Sequence, residues 1–112
     1  MENNTLLRKM RAHAETAIQY CSGCSSYEEF IQNPMLMDAC MHHVGQIGEF
    51  ASIAIKDHID QDYPTLMWAA MKGLRNRIYH NYDGVNRVII WETITNDLPE
   101  LIEEIDKLTT PV

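Results

Sequence analysis

The sequence predicts an all-α fold, a single-domain bundle of four to six helices spanning residues 1–112. Three observations lead there. Apolar residues recur at steps of three and four along most of the chain, the spacing that gathers them on one face of a helix. Strand-type alternation is nearly absent. Asn, Ser, Pro and Gly fall between the periodic segments, where caps and breaks belong.

The elements follow in order. Leu6, Met10, Ala14, Ala17 and Ile18 form the stripe of a first helix, with Asn3 or Asn4 placed to cap it. Ser22-Gly23 and Ser25-Ser26 break it, and Ser26 can cap a short second helix over Tyr27-Glu28-Glu29-Phe30-Ile31. Asn33-Pro34 opens a third, proline being favoured in a first turn. Its apolar face runs Leu36, Cys40, Val44, Ile47, Ala51, Ile55. Carried to Ile59, it is roughly 25 residues and about 38 Å long, the spine of the fold. After a polar break from Asp60, a fourth helix starts near Pro64, turns Met67, Met71, Leu74 and Ile78 inward, and ends at Asp83-Gly84 in a left-handed turn. Helix resumes over Val88 to Thr95. Asn96-Asp97 then caps a last helix with Pro99 in its first turn and Leu98, Leu101, Ile102, Ile105 and Leu108 as its stripe.

At 112 residues the chain suits one domain. It is 46% apolar, enough for a core. The longest aliphatic and aromatic run, Val88-Ile89-Ile90-Trp91, is far short of the roughly 20 residues of a membrane span. The first residues lack the basic and apolar regions of a secretory signal. Cys21, Cys24 and Cys40 are too few, and odd in number, for a disulfide scaffold. A soluble, cytoplasmic protein is expected. The net charge of −7 opposes general nucleic-acid binding by long-range attraction. Yet Lys72, Arg75, Arg77 and Arg87 face only Asp83 within residues 72–87. Phosphate can be held locally there while the rest of the surface repels it.

That window contains Arg75-Asn76-Arg77-Ile78-Tyr79-His80-Asn81-Tyr82, the segment richest in chemistry. Arginine grips phosphate as a planar fork. Histidine exchanges protons near neutral pH, and an amide can orient a hydroxyl or a phosphate oxygen. At about 100° per residue, Asn76 and His80 share a side with Lys72, while Arg75, Tyr79 and Tyr82 lie on a neighbouring one. Arg75 and His80 diverge by about 140°. Either His80 sits in a frayed last turn, or helices of two chains meet across a two-fold axis and share a cleft. The second arrangement is preferred.

The Arg-Asn-x-x-x-His-x-Tyr pattern resembles the motif of the HepT-like toxins within the HEPN superfamily of nucleotide-binding and ribonuclease domains. The resemblance extends over Val44-Gly45-Gln46-Ile47-Gly48-Glu49, Trp68-Ala69-Ala70-Met71-Lys72-Gly73-Leu74, Tyr82-Asp83-Gly84-Val85 and Asn96-Asp97-Leu98-Pro99, nearly the whole chain. It implies a homodimeric helical bundle and a metal-independent endoribonuclease needing no cofactor. It implies the toxin of a type VII-like toxin–antitoxin pair, whose partner is a minimal nucleotidyltransferase antitoxin that attaches AMP to the motif tyrosine. Carried over by position, Arg75 and His80 are catalytic, Asn76 supports them, and Tyr82 is the AMP acceptor. Lys72 and Arg77 are candidates to steer the RNA backbone.

Blander readings stand beside these. The motif can be a structural cluster, with Arg75 bonded to an acid and His80 at a helix C-terminus where a cation suits the dipole. The chain would then be a non-catalytic nucleotide- or protein-binding subunit; a ribonuclease outside any toxin system is a third reading. Cys21-Ser22-Gly23-Cys24 lacks the βαβ setting of a redox site and, for zinc, two further ligands. His42-His43 read as one exposed and one packed residue; His13 and His58 give no signal. Met35, Met37 and Met41 read as core or dimer packing, and Glu100, Glu103, Glu104 and Asp106 as a solvated helix face or one that meets a basic patch on a partner.

Overall fold

The computed structural model describes residues 2–109. Six α-helices succeed one another: α1 Asn3–Cys21, α2 Tyr27–Ile31, α3 Pro34–Lys56, α4 Trp68–His80, α5 Arg87–Glu92 and α6 Leu98–Thr109. No strand occurs among the described residues. Helix α3 lies between α1 and α4, and α6 closes on the far side of α1. Leu6, Leu7, Met10, Met41, Ile47, Ile90, Ile94 and Ile105 are sealed at the centre. Phe30 of α2 meets Trp91 of α5 with ring centroids 5.3 Å apart. Between α4 and the α5–α6 arm a groove of about 540 Å³ stays open, lined by Leu66, Met67, Ala70, Leu74, Ile89 and Leu101 among others.

Local chemistry explains the boundaries. The Ser26 side chain accepts from the Glu29 amide, and Asn33 from Leu36, so the predicted caps of α2 and α3 form. The cap of α1 does not: Asn3 and Asn4 lie inside the helix behind Glu2, and Asn3 Nδ2 donates to Asp62 Oδ2 at 3.1 Å. Helix α3 stops at Lys56, short of Ile59, because His58 takes the left-handed conformation (φ 62°), a turn that glycine or asparagine more often supplies. Pro64 belongs to the connection, and α4 begins at Trp68, whose indole Nε1 donates to the Tyr63 carbonyl at 2.8 Å. Met67, expected inward, precedes the helix and is 70% exposed.

Helix α4 ends at His80, earlier than expected, and residues 82–84 form a 3₁₀ turn. No glycine here has positive φ. Gly84 is needed for closeness instead, since a Cβ there would lie 2.3 Å from Asn81 Nδ2. Asn86 caps α5 through the Val88 amide. Asn96-Asp97 caps nothing: helical backbone runs on from α5 into α6 through a π turn, Thr93–Asp97, closed by the Leu98 amide on the Thr93 carbonyl. Pro99, which has no N–H for the carbonyl four residues back, follows this widened turn and so does not break the helix.

Met37 and Met41 are core, while Met35 is 85% exposed and takes no part in the core of one chain. One further reading is amended. The acidic face of α6 is partly spoken for: Asp106 Oδ1 takes Arg11 Nε at 2.7 Å, tying α6 to α1, and Glu104 pairs with Lys107 at 3.3 Å. Arg11 keeps the Asp106 carboxyl below the usual carboxylate range.

Candidate active site

Two glycines set how near the motif helix comes to α3. A Cβ on Gly48 would lie 2.2 Å from Arg75 Cβ and 2.5 Å from the Met71 carbonyl oxygen; one on Gly45 would lie 2.9 Å from Tyr79 Cε1. They stand one turn apart, so α4 rests against bare α3 backbone at both places.

Closeness brings α3's polar side chains onto the motif. Arg75 Nε donates to Glu49 Oε2 at 2.9 Å, and Nη2 lies 2.7 Å from the same oxygen. Arg75 Nη1 donates to Asn76 Oδ1 at 2.6 Å. The guanidinium carbon sits 5.2 Å from the centroid of the Tyr79 ring. Tyr79 accepts from Gln46 Nε2 at 2.9 Å on its hydroxyl. A guanidinium has five N–H donors, so at least two remain for another acceptor, and the Asn76 amide hydrogens are also left to donate. Arg75 is 24% exposed, so its outer edge reaches solvent.

The side chain of His80, the last residue of α4, is exposed and makes no hydrogen bond or ion pair among the described residues. Lys72 is half-buried on the His80 side of the helix. Arg77 is elsewhere: two residues from Arg75, and so about 200° round the helix, it lines the groove facing α5 and α6. The structure thus gathers Arg75, Asn76 and Tyr79, leaves His80 at the helix end with no contact to Arg75, and separates Arg77.

Tyr82 lies just past the helix and donates its hydroxyl hydrogen to Asp38 of α3. Arg87 spans the turn, its Nη1 donating to the Tyr82 carbonyl at 3.1 Å and to Val85 at 2.6 Å, with its guanidinium carbon 5.7 Å from the Tyr82 ring centroid. Partial burial and then the Asp38 carboxylate push the Tyr82 phenol up to about 12. The phenol is therefore neutral near pH 7 and aimed at a base.

The family described as ribonuclease HepT-like matches residues 10–108, including every residue of this site. This chain belongs to it. Among similar proteins, one of Methanocaldococcus jannaschii bearing the name "Putative RNase" is 34% identical over 80 residues, 71% of this chain and 72% of that one. One of the same name from Caldanaerobacter subterraneus subsp. tengcongensis is 32% identical over 83 residues, 74% of this chain and 73% of the relative. A "Probable ribonuclease HepT" of Thermococcus cleftensis is 29% identical over 82 residues, covering 73% and 74%. No solved structure matches the chain.

Sequence reasoning missed part of this candidate site. Glu49, Gln46 and Asp38 hold the motif from α3, and Arg87 braces Tyr82. For Asp38 and Glu49 the signal was register, since Asp38, Gly45 and Glu49 recur at helical spacing on the side where the small residues stand; Arg87 stood in the basic window and Gln46 beside Gly45, with no role given to either. The cysteines form no part of the site; Cys21 and Cys40 are buried 3.5 Å apart between α1 and α3. Among the described residues, no group of three His, Cys, Asp or Glu side chains is arranged to hold a metal ion, and no helix is long and apolar enough to cross a membrane.

Proposed function

We propose that this chain is a metal-independent endoribonuclease, the toxin of a toxin–antitoxin pair, working as a homodimer with Arg75 and His80 at the scissile phosphodiester. The observation that carries it is the contrast in α4. Its guanidinium is fixed by Glu49 and Asn76 with donors to spare, and its imidazole stands unpartnered in solvent one turn on. Family membership adds the chemical class.

In this reading the RNA supplies its own nucleophile. The 2′-hydroxyl attacks phosphorus, the bond to the 5′-oxygen breaks, and a 2′,3′-cyclic phosphate and a free 5′-hydroxyl result. Arg75 holds the non-bridging oxygens, where negative charge builds, with the Asn76 amide beside it; losing one such donor typically costs about 10²–10³ in rate. His80 moves the proton. Lys72 attracts the strand, and Arg77 contributes general attraction from the groove side. The angle between Arg75 and His80 along one helix favours a cleft shared by α4 of two copies.

Regulation in this reading runs through Tyr82. A partner nucleotidyltransferase joins its phenolic oxygen to the α-phosphorus of ATP; the bond from that phosphorus to the bridging oxygen of the β-phosphate breaks, and pyrophosphate leaves. The hydrogen now donated to Asp38 leaves, and an anionic phosphodiester takes its place near the Arg87 guanidinium. Charge and bulk then obstruct the RNA path. One observation favours the alternative of a non-catalytic binding subunit: Arg75 already has a carboxylate partner. His80→Ala separates the two. It should abolish cleavage of single-stranded RNA in chelator-treated buffer, while circular dichroism and sedimentation stay as in the native protein. Undiminished cleavage removes His80 from the mechanism.

A further inference from the structure

Tyr79 is absorbed neither by the core nor by the proton-transfer chemistry, yet it is held on three sides. Its edge rests on the α3 backbone at Gly45, its hydroxyl takes a hydrogen bond from Gln46 Nε2, and Arg75 covers one ring face. Nearly half of the residue, 48%, nevertheless remains exposed. An aromatic ring this constrained and still open has lost its freedom without being buried. That is what a stacking surface requires, because the entropy of fixing the ring is lost before a ligand arrives.

We propose that the Tyr79 ring is the platform on which an unpaired base of the RNA stacks, next to the phosphate held by Arg75. The inference rests on the ribonuclease reading and adds to it a substrate class: single-stranded or looped RNA, whose bases can leave their neighbours, in preference to continuous duplex. Arg75 joins the two subsites. Its guanidinium backs the ring at 5.2 Å, and its remaining N–H donors meet the phosphate, so base and phosphate of neighbouring positions on one strand are held together. Stacking accepts any base, so selectivity at this subsite is for an unpaired base over a paired one, with only modest preference among bases.

The test is binding of a single-stranded 2′-fluoro RNA bearing one 2-aminopurine, which has no 2′-hydroxyl nucleophile and so reports stacking without cleavage. The full chain should quench the 2-aminopurine on binding. Tyr79→Phe keeps the ring and should bind within about threefold of native. Tyr79→Leu should weaken binding by about tenfold to a hundredfold and lose the quench. Gly45→Ala, which keeps the ring but pushes it off its seat, should fall between them and guards against misfolding of the Leu variant. Native affinity and quench in Tyr79→Leu overturn the platform. So does a Tyr79→Phe protein as weak as Tyr79→Leu, since the Gln46 bond and not the ring would then matter. A native chain that binds no oligonucleotide overturns both the platform and the ribonuclease reading. One that binds and quenches but never cleaves ordinary RNA supports the platform and ends the ribonuclease reading alone.

Discussion

Gly48→Ala tests whether the approach of α4 to α3 builds the site. The new methyl would stand 2.2 Å from Arg75 Cβ and 2.5 Å from the Met71 carbonyl oxygen. Carbon atoms pack at about 3.5 Å or more, so α4 must retreat by roughly 1.3 Å or the helices must slide. Neither obstacle is the loose end of a side chain. Overpacking of this kind costs about 1–3 kcal/mol, and rigid obstacles place it in the upper half of that range. Replacing a helical glycine returns about 1 kcal/mol of backbone propensity. The net expectation is a loss of about 1–2 kcal/mol, seen as a melting temperature lower by about 5–10 °C. The same retreat pulls Arg75 off Glu49, and a misplacement of about 1 Å can cost about a hundredfold in rate. Gly73→Ala is the control, because nothing lies within 4 Å of its Cβ position on the same α4. It should gain about 0.5–1 kcal/mol and keep native activity. Urea denaturation and thermal melting, run beside RNA cleavage, measure both. A Gly48→Ala protein melting at or above the native temperature would show that the close approach is not a constraint, and the account of how the site is built would fail.

Two further predictions concern protons. In the native chain Tyr82 should ionise near 12, detected as one late-titrating phenol in ultraviolet difference spectra against Tyr82→Phe. Asp38→Asn removes the negative charge but not the burial, so the value should fall part of the way toward 10; an unchanged titration would deny Asp38 its part. Because the folded value lies above the unfolded one, the stabilisation linked to Tyr82 is complete below about pH 10 and disappears as pH rises through 12. The second concerns His13 of α1 and His43 of α3, whose Nδ1 atoms share a hydrogen at 2.9 Å. Burial first, then neighbouring imidazoles, lower both below the ordinary histidine value of 6.5. Stability linked to this pair is present above that value and lost as pH falls through the folded ones. Urea midpoints should therefore drop between about pH 7.5 and about pH 5.5, and drop less in His13→Phe, whose ring would lie beside Phe50, now 5.9 Å from His13. Equal drops in both proteins would place the acid sensitivity elsewhere.

What the sequence showed was whatever neighbours in the chain decide. Ser26, Asn33 and Pro34 start helices by local hydrogen bonding and fixed φ, and they are found doing so. The pairing of Arg75 with Tyr79 follows from four residues of helical period. The failures share a cause in tertiary packing. His58 turns left-handed with no glycine to announce it, and Gly84 serves closeness to Asn81 instead of a positive φ. The break expected at Asn96-Asp97 vanishes because a π turn lets backbone pass the proline, a solution that depends on α6 having α1 to pack against. At the site, the unread half came from α3. Glu49 is 26 residues from Arg75 and Asp38 is 44 from Tyr82, so only the register between two helices could place them.

That register also bears on whether Arg75, with a carboxylate partner, can serve a phosphate. A chain of net charge −7 cannot draw RNA in from a distance on overall charge. Under the proposed function it holds the strand by short-range donors already in position. An unrestrained arginine would lose much side-chain freedom at binding. Here Glu49 takes the Nε edge and Asn76 one Nη hydrogen, so the outward edge is fixed before RNA arrives. The ion pair lowers the cation's long-range pull and sharpens its direction. For a phosphate already beside it, direction counts for more, since bidentate recognition depends on the plane of the fork. In the proposed mechanism Glu49 is the group that aims Arg75, and the two glycines are the reason Glu49 can reach it.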